Sequence, residues 1–129
     1  KPISVRRKLP SIVESALGMK ANDAKLKKAI ADVEAIMASE LPKIKAADNH
    51  ELMKANEVKN MISHLILVLK ASLMRTESRL HHWRDDYPER DDKNWLKWTV
   101  IRKDQEKMVL STEPIPMARY KFKPADYQG

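Results

Sequence analysis

Between Glu77 and Trp98 the chain reads ESRLHHWRDDYPERDDKNWLKW, and no other stretch constrains the fold as much. More than half of these residues are Asp, Glu, Arg, Lys or His, and Trp83, Tyr87, Trp95 and Trp98 are interleaved with them. Over residues 75–97 six basic residues meet six acidic ones. So dense a mixture of both signs is costly to bury unless its members pair with one another or with a partner. It follows neither a helical nor a strand period, so it is not an ordinary solvated face. The segment is therefore expected to be a structured loop that docks against something. Arg79 and Arg84 are expected to order it by pairing with its acids, with at least one Asp among 85, 86, 91 and 92 accepting the Arg84 fork. Asp91 or Asp92 is placed to cap a short turn ahead of Asn94-Trp95. Trp83, Trp95 and Trp98 suit anchoring of a loop to a helix by their buried area, the other use of such rings being to stack a flavin or a base.

The two flanks of this segment differ. All the aromatic residues lie after position 82, the last being Tyr120, Phe122 and Tyr127, and the first 80 residues are aliphatic and Met-rich. A helical body followed by an irregular or β tail is expected. Residues 3–17 form one short helix with Ile3, Val5, Leu9, Ile12, Val13, Ala16 and Leu17 as its apolar side, Pro10 in its first turn or interrupting it, and Gly18 as its C-terminal cap. Asn22 or Asp23 caps a second helix, in which Leu26, Ile30, Val33, Met37, Leu41 and Ile44 step by three or four; Pro42 kinks or ends it. A third helix starts near Asp48 or Asn49, with Glu51 in its first turn, and runs to about Arg79. Val58, Ile62, Leu65, Leu69 and Ser72 mark one face of it, widened by Met61, Val68 and Leu73. Being apolar nearly all round between Met61 and Met74, it needs cover on more sides than two helices supply. Beyond the charged loop, residues 98–102 and 107–111 flank Lys103-Asp104-Gln105-Glu106 as a β-hairpin. Pro114 and Pro116 then forbid further pairing, and residues 117–129 form an extended tail.

A chain of 129 residues is expected to form one domain with a modest core. The absence of Cys excludes disulfides, thiolate metal sites, iron–sulfur ligation and a cysteine nucleophile in this chain and fits a cytoplasmic setting. The stretch 61–74 is interrupted by Ser63, His64 and Lys70 and is too short to cross a bilayer, so no direct membrane insertion is expected. The chain starts at Lys1-Pro2 rather than Met, as a piece of something larger would. The net charge of +7 invites a nucleic-acid reading, but the excess sits mainly in residues 1–20, which carry Arg6-Arg7-Lys8 and no aromatic residue to stack on bases. No specific nucleic-acid partner is expected. With two glycines the chain cannot supply a dinucleotide-binding fingerprint. His81 and His82, with Asp85 and Asp86 nearby, raise a zinc or iron site, but adjacent helical residues point about 100° apart. His64 reads as a hydrogen-bonded helix histidine and His50 as a solvent-facing residue at a helix start. The acids and arginines of the loop read as an ion-pair cluster before they read as general acid–base groups. No catalytic, cofactor-binding or metal-binding residue is assigned.

Thr76-Glu77-Ser78-Arg79, a histidine, and then Arg84-Asp85-Asp86-Tyr87-Pro88-Glu89-Arg90-Asp91-Asp92-Lys93-Asn94-Trp95-Leu96-Lys97 resemble the C-terminal domain of the succinate dehydrogenase/fumarate reductase flavoprotein family. The upstream helices, with Asn60-Met61 midway along the long one, the hairpin and the Pro-rich tail are similar too. The resemblance implies an all-α domain: a three-helix, spectrin-repeat-like bundle (helical body 1–80), an irregular charged docking loop (81–97) and a short hairpin and tail (98–129). It implies that this domain closes off a larger flavoprotein. There it would pack on the flavin and capping domains and face an iron–sulfur partner subunit, with FAD and the catalytic His and Arg residues in those other domains. Only a docking motif is carried over: Glu77, Arg79, His81, Arg84, Asp85, Arg90, Asp91, Asp92 and Trp95. Location in the cytoplasm, with membrane association through partner subunits, is implied by the same resemblance. Dicarboxylate members usually have Gly or another small residue after Glu-Ser-Arg and then a single His, whereas Leu80-His81-His82-Trp83 stands here. That aromatic bulk is similar to the adenylylsulfate reductase branch, and L-aspartate oxidase belongs to the same superfamily. The parent's substrate thus stays open among succinate/fumarate, adenylylsulfate and aspartate. The other class of reading is a free-standing helical adaptor or weak nucleic-acid-binding module.

Overall fold

Side-chain caps fix where the two long helices begin. In the computed structural model, which describes residues 1–18 and 20–121, Asn22 Oδ1 accepts the Lys25 N–H (3.0 Å) and Asp48 Oδ1 accepts the Glu51 N–H (2.8 Å). Each cap satisfies an orphan donor of the first turn. At the second, Glu51 reaches back to the Ala47 N–H (3.0 Å). From these starts run α3 (Asp23–Ser39) and α4 (Asn49–Met74). Ahead of them stand α1 (Pro2–Arg6) and α2 (Leu9–Leu17), and Pro42 lies in a 3₁₀ turn, Leu41–Lys43. The chain divides into two compact units, Lys1–Arg90 and the residues from Asp91 on, so the division falls within the charged loop.

The first unit is a helical bundle. α3 packs on α4, and α1 and α2 supply the third arm against both. Its core is Val5, Leu9, Ala16, Leu26, Ala29, Val33, Ile36, Val58, Ile62, Leu65, Ile66 and Leu69. The α4 face is the one its spacing predicts, with Ile66 added. On α3 the buried stripe is Leu26, Ala29, Val33 and Ile36; Ile30 is half-buried and Met37 exposed. Ala29 belongs to the buried stripe, which a count of large apolar residues does not reveal.

Two boundaries differ from expectation. Residues 3–17 are two helices, because the chain breaks at Arg7-Lys8 and restarts with Pro10 in the first turn of α2, where its missing N–H costs nothing. α4 stops at Met74 rather than near Arg79: Arg75 is extended (φ −80°, ψ 104°), and the polar groups beyond it fold back across the helix end. Gly18 stands after α2 in an extended conformation, and its glycine is required by proximity: a Cβ there would lie 2.6 Å from the Glu14 carbonyl oxygen.

The second unit opens with a one-turn helix, α5 (Asp92–Trp95), and continues with β1 (Lys97–Asp104) and β2 (Lys107–Pro114). The strands pair antiparallel from Lys97 opposite Pro114 to Asp104 opposite Lys107. The hairpin is longer than expected at both ends, and its turn is the two residues Gln105-Glu106, both at positive φ (42° and 66°). Pro114 ends the pairing. Met117–Arg119 is a 3₁₀ turn rather than part of an extended tail, and the expectation for Phe122 to Gly129 lies outside the described residues. Among the described residues no helix is long and apolar enough to cross a membrane.

Candidate functional site

The end of α4 leaves carbonyls without intrahelical partners, and the start of α3 leaves N–H groups in the same position. One side-chain pair answers both. Arg84 directs Nη1 at the carbonyls of Ser72 (3.0 Å), Leu73 (3.2 Å) and Arg75 (3.4 Å). Its Nε and Nη2 form a fork on Asp86 Oδ1 (2.7 Å) and Oδ2 (2.6 Å). Asp86 Oδ2 in turn accepts the Asp23 N–H of α3 (2.9 Å). A cation thus meets the negative end of one helix dipole and an anion the positive end of the next. Arg84 is 1 % exposed and among the largest fully buried side chains. The Asp86 contact holds its guanidinium above the ordinary pKa, and the same fork brings the Asp86 carboxyl down to about 2. The Tyr87 ring lies 5.1 Å from Arg84 Cζ and adds a cation–π contact.

The backbone is folded onto this pair by Ser78. Its Oγ accepts the Arg84 N–H (2.8 Å) and donates to the Tyr87 carbonyl (2.8 Å), while its own N–H reaches the Glu89 carbonyl (3.0 Å). The Asp85 N–H donates to the Ala21 carbonyl (2.7 Å), stitching the loop to the turn before α3. Next to Ser78, Glu77 has a fully buried side chain. It receives Arg75 Nη1 (2.5 Å) and Arg79 Nε (2.8 Å) on Oε1, and Arg79 Nη2 (3.1 Å) on Oε2. With two arginines on it, the buried carboxylate is not left uncompensated, and the arginines themselves keep partial exposure. Arg79 and His82 exchange backbone hydrogen bonds (2.7 and 2.8 Å), with Leu80 at a φ of 52° between them. The His82 Nε2 lies 3.0 Å from the Arg75 carbonyl, which can only accept, so Nε2 carries the proton. Burial lowers the His82 pKa, the Arg84 and Arg75 cations lower it further, and the Arg75 carbonyl works against both.

Of the expected docking residues, Glu77, Arg79 and Arg84 meet in this network, and Arg84 finds its fork partner as anticipated. Asp85 contributes its backbone, with its side chain exposed, and His81 and Arg90 are exposed. Asp91, Asp92 and Trp95 belong to the second unit. There Asp91 Oδ1 caps α5 by accepting the Asn94 N–H (3.0 Å), and Lys97 Nζ lies 5.6 Å from the centre of the Trp95 ring. Asp86, Ser78, His82 and Arg75 join the network although the sequence does not single them out as docking residues. In a loop without a period, nothing distinguishes Asp85 from Asp86 until the backbone direction is known. Elsewhere, His64 Nδ1 bonds the Asn60 carbonyl (2.7 Å), as a helix histidine does.

The family described as Fumarate reductase flavoprotein C-term matches residues 6–128. The fumarate reductase flavoprotein subunit of Helicobacter pylori J99 is 27 % identical over 132 residues, spanning 97 % of this chain and 18 % of that protein. The succinate dehydrogenase flavoprotein subunit of Rickettsia conorii is 34 % identical over 70 residues, 54 % of this chain and 12 % of that one. The FrdA chain of E. coli quinol fumarate reductase shares the fold with a TM-score of 0.86 at 20 % identity, covering 97 % of this chain and 22 % of that chain. Mycobacterium smegmatis Sdh1 superposes with a TM-score of 0.79 at 26 % identity, over 88 % of this chain and 20 % of that one. This chain therefore spans about a fifth of the length of relatives that it matches almost end to end. With a match that includes the folded-back motif from Glu77 to Lys97 and the helices it caps, the chain belongs to the C-terminal domain family of the succinate dehydrogenase/fumarate reductase flavoproteins.

Proposed function

We propose that this chain is the helical docking domain of an FAD-dependent oxidoreductase of succinate dehydrogenase/fumarate reductase type. Its task is to pack on the flavin and capping parts of the same protein and to face an iron–sulfur partner subunit; hydride chemistry belongs to the other parts. The observation that carries this reading is the hydrogen-bonded and ion-paired loop of residues 77–87. Its interior charges are spent on holding α3 and α4 together, and its outer residues are presented on a fixed frame. The segment's own residues do not fit a flavin dinucleotide: a pyrophosphate cradle needs a glycine-rich turn at a helix start, whereas Gly18 sits at a helix end against the Glu14 carbonyl. FAD is accordingly assigned to the parent protein outside this segment. Its substrate is a dicarboxylate in the simplest reading, as the names of the relatives indicate for those proteins.

The test uses the full-length parent, with residues 1–129 deleted or with Arg84→Ala. Both changes are expected to reduce co-purification of the partner subunit and flavin-linked turnover. Wild-type assembly and turnover after deletion of the whole segment would refute the docking function.

A further inference from the structure

Leu80 is 92 % exposed, yet its backbone is in the left-handed region at a φ of 52°. That region disfavours a bulky side chain and suits Gly or Asn. The conformation is imposed from both sides. Arg79 and His82 close the turn by reciprocal backbone hydrogen bonds, Arg79 is tied to buried Glu77, and the His82 ring is fixed on the Arg75 carbonyl. A strained turn held this firmly, and used to display a leucine to solvent, points to a use outside the fold. Trp83 is 51 % exposed beside it. Both residues line an open groove of about 600 Å³, together with Leu17, and Lys20 and His81 edge that groove.

We propose that Leu80 and Trp83 anchor this segment to the rest of its own polypeptide, entering an apolar surface edged with carboxylates. The proposal rests on the docking-domain reading and adds which residues make the contact. A half-exposed tryptophan is the residue type enriched in binding hot spots, and Leu80 and Leu17 line the same groove beside it. The Lys20 ammonium sets the sign of the complementary rim. The occupant is indicated by size. Two exposed side chains fall far short of the roughly 1,200 Å² that a stable complex between free partners buries. Within one polypeptide the effective concentration is high, and a small anchor suffices. The relatives extend to about five times this segment's length, so the receiving surface has a chain to belong to.

The test is cysteine accessibility in the full-length parent, since residues 1–129 contain no Cys. Leu80→Cys is labelled with a maleimide and the modified peptide is tracked by mass spectrometry, native and unfolded in urea. Native labelling is expected to be at least about tenfold slower than unfolded labelling, as for a site that reacts only on opening. Leu80→Asn, which suits the left-handed turn, should leave the loop intact but speed proteolytic release of the segment, whereas Leu52→Asn on α4 should not. Equal native and unfolded labelling overturns the proposal. Protection that disappears on dilution also overturns it, because the occupant is then a second copy. If Leu80→Cys labels freely while Arg84→Ala still impairs assembly, the anchor falls and the docking function stands.

Discussion

At Arg84 three requirements converge: a helix C-terminus needing donors, a helix N-terminus needing an acceptor, and a loop needing a fixed point. Because the side chain is buried, its loss leaves α4 carbonyls without partners and a void at the bundle end. Arg84→Ala is expected to destabilise the domain by about 2–3 kcal/mol, measured by chemical denaturation. Arg79→Ala should cost less, about 1–2 kcal/mol, since Glu77 keeps Arg75. Arg84→Lys keeps the charge but cannot form the fork, so it should fall between wild type and alanine. The titrating groups give two pH windows. The Asp86 carboxyl is depressed from 3.8 to about 2, so its stabilisation is full above the unfolded value and is lost as pH falls through the range between the two. For a partly exposed side chain that amounts to about 1 kcal/mol after solvent screening. The folded pKa of His82 is also lowered, so the folded state binds fewer protons than the unfolded one; its contribution is full above 6.5 and lost as pH falls below that value. His82→Gln can still donate to the Arg75 carbonyl and should remove the loss that begins below 6.5 while leaving the lower transition. Denaturation midpoints from pH 8 to pH 2 check both.

Among the elements, α4 shows that the residues beyond a helix can decide its boundary. Thr76 to Arg79 could continue a helix by composition, but Glu77 and Ser78 satisfy their polar groups by folding back, and the helix stops at Met74. The packing of α4 also leaves Leu52, Met53, Met61 and Val68 exposed, in keeping with an apolar circumference that two helices cannot cover. The turn between α2 and α3 depends on close approach: Gly18→Ala sets a Cβ against a carbonyl and is expected to cost about 1–3 kcal/mol, read as a lowered Tm. In the hairpin, Gln105 and Glu106 both adopt positive φ without being Gly or Asn. Replacing them with Asn-Gly should stabilise the hairpin by about 1 kcal/mol, measured by amide exchange across β1 and β2.

For the whole molecule, the net charge of +7 is the one property that favours a nucleic-acid partner, and the structure reduces its reach. Lys8 is paired with Glu40 (2.7 Å) and Lys1 lies 3.6 Å from Glu51, so part of the basic N-terminal segment is already neutralised. Binding to duplex DNA is expected to be weak, without sequence preference, and lost as salt rises, since few phosphates can be engaged at once. Fluorescence anisotropy at low and physiological salt measures this. Submicromolar, sequence-selective binding at physiological salt would favour the adaptor reading over the docking domain.

The sequence by itself determined the elements whose causes are local. It narrowed each cap to two neighbours, of which Asn22, Asp48 and Asp91 accept the capping N–H groups, and the α4 stripe from Val58 to Leu69 has a helical period. It also located the folded-back charged loop, because a charge density this high has few ways to be stable. The tertiary structure alone decided which acid Arg84 takes. Asp85 and Asp86 are equivalent in composition; with the Asp85 N–H bonded to the Ala21 carbonyl, it is the Asp86 side chain that meets Arg84 and the α3 N-terminus. It decided, too, that Ala29 and Ile36 are buried while Ile30 is half-buried and Met37 exposed, since α3 packs against both α2 and α4 and the buried stripe is set by those neighbours rather than by hydrophobicity alone. Leu80 is the clearest case. Nothing in its neighbours' identities announces a left-handed leucine; the turn is closed around it by Arg79 held on Glu77 and by the His82 ring held on the Arg75 carbonyl, side-chain contacts that no helical or strand period encodes.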